Sequence, residues 1–263
     1  MSSRTEDLPR QHTGTQLTRR TTSGDHRSMW IASTLAGASL LLIAALAVFG
    51  VLFALQGLIT PGNAAQTAQD IAAAEGLFRA GLASAFVVVV LDVVAAWAMQ
   101  GVFSPVSAAL STLNAWFRVA YAAVFMVALS QLAGIPNLLR DEEYQRAFGA
   151  EQLQAVVLAK TEAFHDLWMA ALILFGVHLL LTGYLAYRSG FLPKTLGVLI
   201  AVSGFGYLFD SFGTFLSQGS PLIISTVTFL GEFLLAWWLL LRARHIASST
   251  GCGTASHADV ADG

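Results

Sequence analysis

The chain has 263 residues, of which 56% are hydrophobic and only 11% are charged, and its formal net charge is −2. A soluble domain carries about 25% charged residues, so this composition excludes an ordinary soluble fold. The charge balance gives no sign of nucleic-acid binding. A single cysteine, Cys252, excludes an intrachain disulfide and a cysteine-based metal site.

The N-terminal segment, residues 1–29, is polar, and we predict that it is a disordered cytoplasmic tail. Its twin arginine, Arg19 and Arg20, is typical of an export signal, but polar residues follow the pair. The apolar run from Trp30 to Ile59 is also far longer than the core of a signal peptide, which has about 7 to 15 residues. We therefore predict a first membrane helix that is retained.

Six apolar segments follow one another, each close to or above the ~20 residues that cross a bilayer. They cover roughly residues 31–59, 77–101, 113–135, 164–187, 194–216 and 221–241. Proline collects in loops and at helix starts; four of the five connections contain one, and Pro221 begins the last segment directly after the fifth. We predict an all-α polytopic membrane protein with a six-helix transmembrane domain over residues 30–244, followed by a disordered cytoplasmic tail over residues 245–263.

Lysine and arginine accumulate on the cytoplasmic side of membrane proteins. Here they concentrate in the two tails and around residues 188–194, which predicts that both termini are cytoplasmic. The longest connection, residues 136–163, contains AEQLQAVVLAK at helical spacing, which predicts a helical extension of the fourth span. An amphipathic helix that binds a partner is the alternative.

Charges inside the predicted spans are few, and ionisable groups there usually mark a site. Asp92, in FVVVVLDVVAAW, precedes Pro105 by the same number of positions as Arg118 follows it. With a turn at Pro105, both reach a similar depth and can form an ion pair. The pair is either a structural clamp or a place where Asp92 takes up a proton or a cation during a transport cycle.

Two further groups lie well inside the spans. His178, in LFGVHLLL, belongs to the fourth, and Glu232, in FLGEFLLAW, belongs to the sixth. Together with Asp92 and Arg118 they form a candidate intramembrane polar site, which suits a proton relay. A core histidine that donates to a backbone carbonyl is the commoner reading of His178.

A second candidate set gathers near the outer face. Its members are Glu75, Arg79, His165, Asp166 and Asp210. Glu75 and Arg79 stand at i and i+4, which favours a local helix pair solvated at the interface. The other three are candidates for the mouth of an external cavity.

Metal binding and catalysis have no motif in this chain. His165 and His178 belong to the same predicted helix but lie several turns apart along it, so they cannot share a metal. No hydrolase, P-loop or cysteine–histidine pattern occurs. We therefore predict no enzyme, no cofactor and no metal site. Gly204, Gly206 and Gly213 are predicted to allow close helix packing.

The chain resembles the bacterial membrane family called domain of unknown function 4386. The resemblance is carried by EGLFRAGLASAFVVVVLDVVAAWAM, FRVAYAAV, GEFLLAWWLLLR and the stretch from FHDLWM to GYLFDSF. It implies a multi-pass protein of the bacterial inner membrane, and it implies no activity. From composition and charge we predict the lipid bilayer as a partner and no nucleic acid.

Two functions follow as hypotheses from these residues. In the first, a non-enzymatic membrane protein binds or passes a small molecule or ion through the internal polar site. In the second, a structural or partner-binding membrane protein uses its buried charges only to fix helix packing. A water-accessible cavity that reaches Asp92, Glu232 or His178 would favour the first, and a dry core with every charge paired would favour the second.

Overall fold

The computed structural model describes the backbone of residues 14–216 and 230–249, with side chains over 29–216 and 231–241. All regular structure in these ranges is helical, which confirms the all-α class. The α-helices are α1 Gly14–Ala47, α2 Ala64–Ala73, α3 Glu75–Phe103, α4 Ala108–Ala133, α5 Ile135–Arg140, α6 Glu142–Ala147, α7 Ala150–Arg188, α8 Lys194–Leu216 and α9 Leu230–Ser249.

Five described helical stretches are long and apolar enough to cross a membrane. They are Met29–Leu58, Glu75–Phe103, Ala108–Arg140, Ala150–Arg188 and Lys194–Leu216. The predicted sixth segment is described only in part, because residues 221–229 lie outside the described ranges. Its described part contains a shorter apolar helix, Gly231–Leu241.

The two predicted tails differ from expectation where they adjoin the bundle. α1 begins at Gly14, so residues 14–29 are helical, and α9 continues to Ser249. Extending an existing helix adds one hydrogen bond per residue fixed, whereas starting one is costly. Polar residues without proline therefore continue the apolar helices at both junctions. Residues 1–13 and 250–263 of the predicted tails lie outside the described residues.

The far end of the first span is not regular α-helix. Val48–Leu55 forms a π-helical stretch, and Gln56–Leu58 forms one 3₁₀ turn. Here α3 crosses very closely, since a Cβ at Gly81 would lie 2.7 Å from the Cβ of Ala54. The Ser84 hydroxyl on α3 donates to the Leu46 carbonyl at 3.0 Å, which satisfies a backbone group where the helix widens.

α7, with 39 residues, is the longest helix in the described part of the chain. It includes AEQLQAVVLAK, so the predicted extension of the fourth span is confirmed. α2 packs against α7 and α5 packs against α2. The helices α2, α5 and α6 thus gather at one end of the bundle, which we call the α5 end, opposite the α3–α4 turn.

The long helices form a closed ring. Neighbouring contacts run from α1 to α3, α4, α7, α8 and α9, and α9 packs back against α1. The α7–α8 contact is the closest, because a Cβ at Gly183 would lie 2.7 Å from the Gly197 carbonyl oxygen and one at Gly204 would lie 2.7 Å from the Gly176 carbonyl oxygen. Close packing at Gly204 is thus confirmed, whereas the prediction for Gly213, which lies close to residues outside the described ranges, stays a prediction.

Candidate functional site

The predicted ion pair between the second and third spans is present. Arg118 donates from Nε at 2.9 Å and from Nη2 at 2.6 Å to one oxygen, Oδ1 of Asp92. Each residue is 1% exposed. Asp92 lies about 16 Å from the last residue of α3 and Arg118 about 15 Å from the first residue of α4, so the depth argument placed them correctly.

Arg118 also contacts the two predicted companions. Its Nη1 lies 3.4 Å from Oε1 of Glu232 on α9 and 3.2 Å from Nε2 of His178 on α7. The structure therefore brings all four predicted intramembrane residues into one group centred on the guanidinium. We call Asp92, Arg118, His178 and Glu232 the charge cluster.

The tautomer of His178 follows from its two neighbours. Its Nδ1 lies 3.1 Å from the Asn114 carbonyl oxygen, which can only accept a hydrogen bond. Nδ1 therefore carries the proton and donates. Nε2 faces an arginine N–H, which can only donate, so Nε2 accepts. The surroundings select the neutral imidazole, and the predicted donation to a backbone carbonyl is confirmed.

Two polar residues on the side of the charge cluster toward the α3–α4 turn were not predicted from the sequence. Asn114 donates through Nδ2 to the Thr182 hydroxyl at 3.1 Å, and the Thr182 hydroxyl lies 3.2 Å from Oδ1 of Asn114. Both are 1% exposed. Their spacing is the feature of the sequence that could have pointed to them, because Asn114 and Arg118 stand at i and i+4, as do His178 and Thr182. At this spacing, a helix places Asn114 one turn from Arg118, and Thr182 one turn from His178, on the same face.

Aromatic rings cover the cluster on the side toward the α5 end. The Phe175 ring lies 5.7 Å from Cζ of Arg118, within cation–π range. Its centroid is 4.7 Å from that of Tyr121 and 5.4 Å from that of Tyr207. Tyr207, on α8, is also an electrostatic neighbour of Glu232 and Asp210. We call Tyr121, Phe175 and Tyr207 the aromatic layer.

The charges in this cluster do not balance. Asp92 and Glu232 are both acids, Arg118 is always positive, and His178 is held neutral by its contacts. Among the described residues no second cation forms an ion pair with either acid. If both carboxyl groups were ionised, the cluster would carry one net negative charge in the middle of the helix ring.

The predicted outer-face set is not one site. Nε of Arg79 lies 2.7 Å from Oε1 of Glu75, and Nη2 of Arg79 donates to Oδ1 of Asn137 at 3.0 Å. A cavity of about 210 Å³ next to them is lined by Ile71, Ala72, Glu75, Pro136, Leu139 and Arg140. His165, Asp166 and Asp210 are not in that lining, and the first two are exposed on α7.

The long apolar helices and the buried cluster define a multi-pass α-helical membrane protein. The family model described as "Domain of unknown function (DUF4386)" matches residues 35–243. The chain therefore belongs to the family called domain of unknown function 4386, as the resemblance in the sequence indicated.

One similar relative is described as an "Uncharacterized protein" of Archaeoglobus fulgidus. It is 33% identical over 162 residues, which cover 62% of this chain and 83% of the relative. No solved structure matches the chain. The matched relative is archaeal, so similarity of this kind is not confined to bacteria.

Proposed function

We propose that this protein is a non-enzymatic membrane protein that binds a small cationic species at the charge cluster. The observation that carries the proposal is the charge imbalance, in which two buried acids share one guanidinium. An uncompensated charge in a region of low dielectric constant is costly, so it attracts a compensating positive species.

The proposal includes six spans in a bacterial inner membrane with both termini in the cytoplasm, with the lipid bilayer as a partner and no nucleic acid. Support for a sixth span comes from α9, which contacts both α1 and α8 and supplies Glu232. Support for the orientation comes from the basic residues at the ends of α7 and α8, Arg188 and Lys194.

Packing around the cluster favours binding of a small species over catalysis on a substrate. Asp92 and Arg118 are 1% exposed and His178 is 0% exposed. The 210 Å³ cavity lies at the α5 end, and another of about 530 Å³ lies along Phe205, Phe209 and Phe212 on the outer surface of α8. Neither cavity is lined by a member of the cluster.

A structural role is the second candidate, and one observation favours it. Asp92, Arg118 and His178 lie on three different helices, and each of them is buried and hydrogen bonded. Such a network fixes the register of those helices whether or not anything binds. In that case cations change the melting temperature of the wild type and of Glu232→Gln by the same amount.

A thermal-shift experiment tests the proposal. The melting temperature of purified protein is measured at several pH values while sodium, potassium or lithium chloride replaces N-methylglucamine chloride at constant ionic strength. We expect stabilisation by one cation or by acid, because a species that binds only the folded state raises its stability. The stabilisation should be lost in Glu232→Gln.

The matched control is Glu75→Gln, which removes an exposed, ion-paired glutamate of the same chain. It should respond to cations and acid as the wild type does. Identical responses of wild type and Glu232→Gln in every condition would overturn the proposed function and leave the structural role.

A further inference from the structure

We infer that the bound species is a proton and that Glu232 carries it. The inference rests on the proposed function and deepens it by naming the species and the atom. In this state Asp92 is a carboxylate paired with Arg118, Glu232 is a neutral acid, and the net charge of the cluster is zero.

The two acids differ in how closely Arg118 holds them. Asp92 receives two donors at 2.6 and 2.9 Å, whereas Glu232 is reached by one guanidinium nitrogen at 3.4 Å. Charge-assisted hydrogen bonds between nitrogen and a carboxylate are usually about 2.7 to 2.9 Å long. The Asp92 contacts fit a carboxylate, and the longer contact of Glu232 fits a neutral acid.

Exposure distinguishes the two acids in the same way. The Glu232 side chain is 14% exposed, compared with 2% for that of Asp92. Glu232 is therefore the less enclosed of the two acids, and we assign the exchangeable proton to it. Release transfers H⁺ from a carboxyl oxygen of Glu232 to a water molecule, so the cluster changes from neutral to a charge of −1.

A metal cation fits the same position poorly. Nη1 of Arg118 stands within 3.4 Å of both Glu232 and His178, so a metal ion there would lie against a fixed positive charge. Nε2 of His178 accepts from that nitrogen and has no free lone pair for a ligand role. Over the described ranges, no group of three or more His, Cys, Asp or Glu side chains is placed to hold a metal ion.

The surroundings of Glu232 indicate the direction of proton exchange. Tyr207 of the aromatic layer is close enough to Glu232 and Asp210 to interact with them electrostatically, and Asp210 stands at i+3 from Tyr207 on α8, toward the α5 end. These two residues lie on neighbouring positions of one helix face. In the opposite direction, Asp92, His178 and the Asn114–Thr182 pair are almost fully buried. Tyr207 and Asp210 are only partly buried, so the less enclosed polar groups follow α8 toward the α5 end.

Infrared spectroscopy tests the inference directly, because a protonated carboxylic acid has a C=O stretching band that a carboxylate lacks. The spectrum of the purified wild-type protein is recorded at neutral pH in N-methylglucamine chloride. We expect the band of one protonated acid per chain. Labelling the glutamate side-chain carboxyl carbons with ¹³C should shift it, which assigns the proton to a glutamate without any substitution.

Variants then identify the residue. Glu232→Gln imitates the neutral acid and should lose the band, whereas the control Glu75→Gln should keep it. Asp92→Asn should also lose the band, because Arg118 then compensates Glu232 and the proton is released. If the Asp92 variant does not fold, the ¹³C shift in the wild type and the Glu232→Gln spectrum still decide the result.

The outcomes separate the two proposals. A band that is present in every salt supports the proton on Glu232. A band that disappears when sodium, potassium or lithium is added shows a metal cation instead, which overturns the inference and leaves the proposed cation site standing. The absence of a band in every condition, together with no effect of cations on the melting temperature, overturns both.

Discussion

At the scale of single residues, Arg118 organises the centre of the molecule. It contacts Asp92, His178 and Glu232 on three other helices, and its side chain is among the largest that are fully buried in the described structure. A buried arginine is stable only while its charge and its donors are satisfied. Removal of the Arg118 side chain should therefore lower the unfolding free energy by more than the loss of any single contact would.

The first prediction concerns the Asp92–Arg118 pair. Arg118→Met leaves the Asp92 carboxylate buried without a partner, which costs about 3–5 kcal/mol of unfolding free energy. Asp92→Leu combined with Arg118→Met should recover most of the loss, because no uncompensated charge remains if Glu232 is neutral. Reversible unfolding in mixed detergent micelles measures both changes.

The exposed pair Glu75–Arg79 is the control for this prediction. Arg79→Met should cost less than about 1 kcal/mol, since the side chains of that pair are 30% and 49% exposed and are screened by solvent. A double variant no more stable than Arg118→Met would contradict the prediction and would mean that the cluster needs the arginine for more than charge compensation.

The second prediction concerns the protonation of His178. Because Nδ1 donates to Asn114 and Nε2 accepts from Arg118, ¹⁵N-histidine NMR should show a neutral imidazole with its proton on Nδ1. Comparison with His178→Gln assigns the signal. A charged ring, or a proton on Nε2, would show that the Arg118–His178 contact is not formed in the protein.

The charged members of the site were predicted from the sequence, whereas Asn114 and Thr182 could have been found only by their one-turn spacing from Arg118 and His178. Asp92 and Arg118 stand out because a charge in an apolar run needs a partner, and their equal distances from Pro105 supplied one. Asn114, Thr182 and Tyr207 are ordinary in a membrane helix. Only their contacts in the folded ring give them a place in the site.

At the scale of elements, the α7–α8 contact is the most extensive in the ring. Glycines on both helices let the backbones approach, as at Gly183 and Gly197. Between helices in lipid, such close packing replaces the hydrophobic effect as the main source of association. The seam positions Phe175 of α7 against Tyr207 of α8.

The third prediction tests this seam. Gly183→Leu should destabilise the protein by about 1–3 kcal/mol or prevent folding, because the new side chain would overlap the backbone of α8. Gly76→Leu, at an exposed position of α3, is the matched control, since a Cβ there meets no atom of the described residues within 4 Å, and it should unfold like the wild type. Equal stability of the two variants would mean that α7 and α8 do not pack through these glycines.

Hydropathy predicts the long helices well but not how they end. Span positions agree with the structure to within a few residues for the second span, because the signal is a run of about 20 apolar residues. The π-helical stretch Val48–Leu55 has no such signal. It accompanies the close crossing of α3 near Gly81, which is a property of two helices and not of one segment.

At the scale of the whole molecule, the closed order of the ring places acids from α3 and α9 on the same guanidinium. The sequence does not predict this order, because lipid tails are as apolar as leucine and hydropathy carries no information on which helices are neighbours. α3 and α4 could be paired from their short turn. The contact of α9 with α1, between the two ends of the chain, could not.

The fourth prediction concerns the topology. Cys252 is the single cysteine of the chain and follows the last predicted span, so it reports on one side of the membrane. A membrane-impermeant maleimide should label it in inside-out vesicles and not in intact cells stripped of their outer barrier. The variant Cys252→Ser with Gln145→Cys, which moves the cysteine to an exposed position of α6, should show the opposite pattern.

Labelling of both cysteines from the same side would contradict the proposed topology, which places an odd number of spans between them. Reversal of the whole pattern would keep an odd number of spans between the two positions and place the C-terminus outside. The labelling pattern therefore tests whether an odd number of spans separates the two positions, independently of the direction in which those spans cross.

The length of α7 sets a preferred membrane thickness. Lys160 and Arg188 lie about 42 Å apart on this one uninterrupted helix, which matches the ~40–45 Å between the two headgroup regions of a bilayer. A helix without a kink cannot shorten, so in a thinner bilayer it must tilt, and the glycine seam obliges α8 to tilt with it. Hydrophobic mismatch would then bear directly on the Glu232 environment, which makes lipid chain length a physical variable for this site.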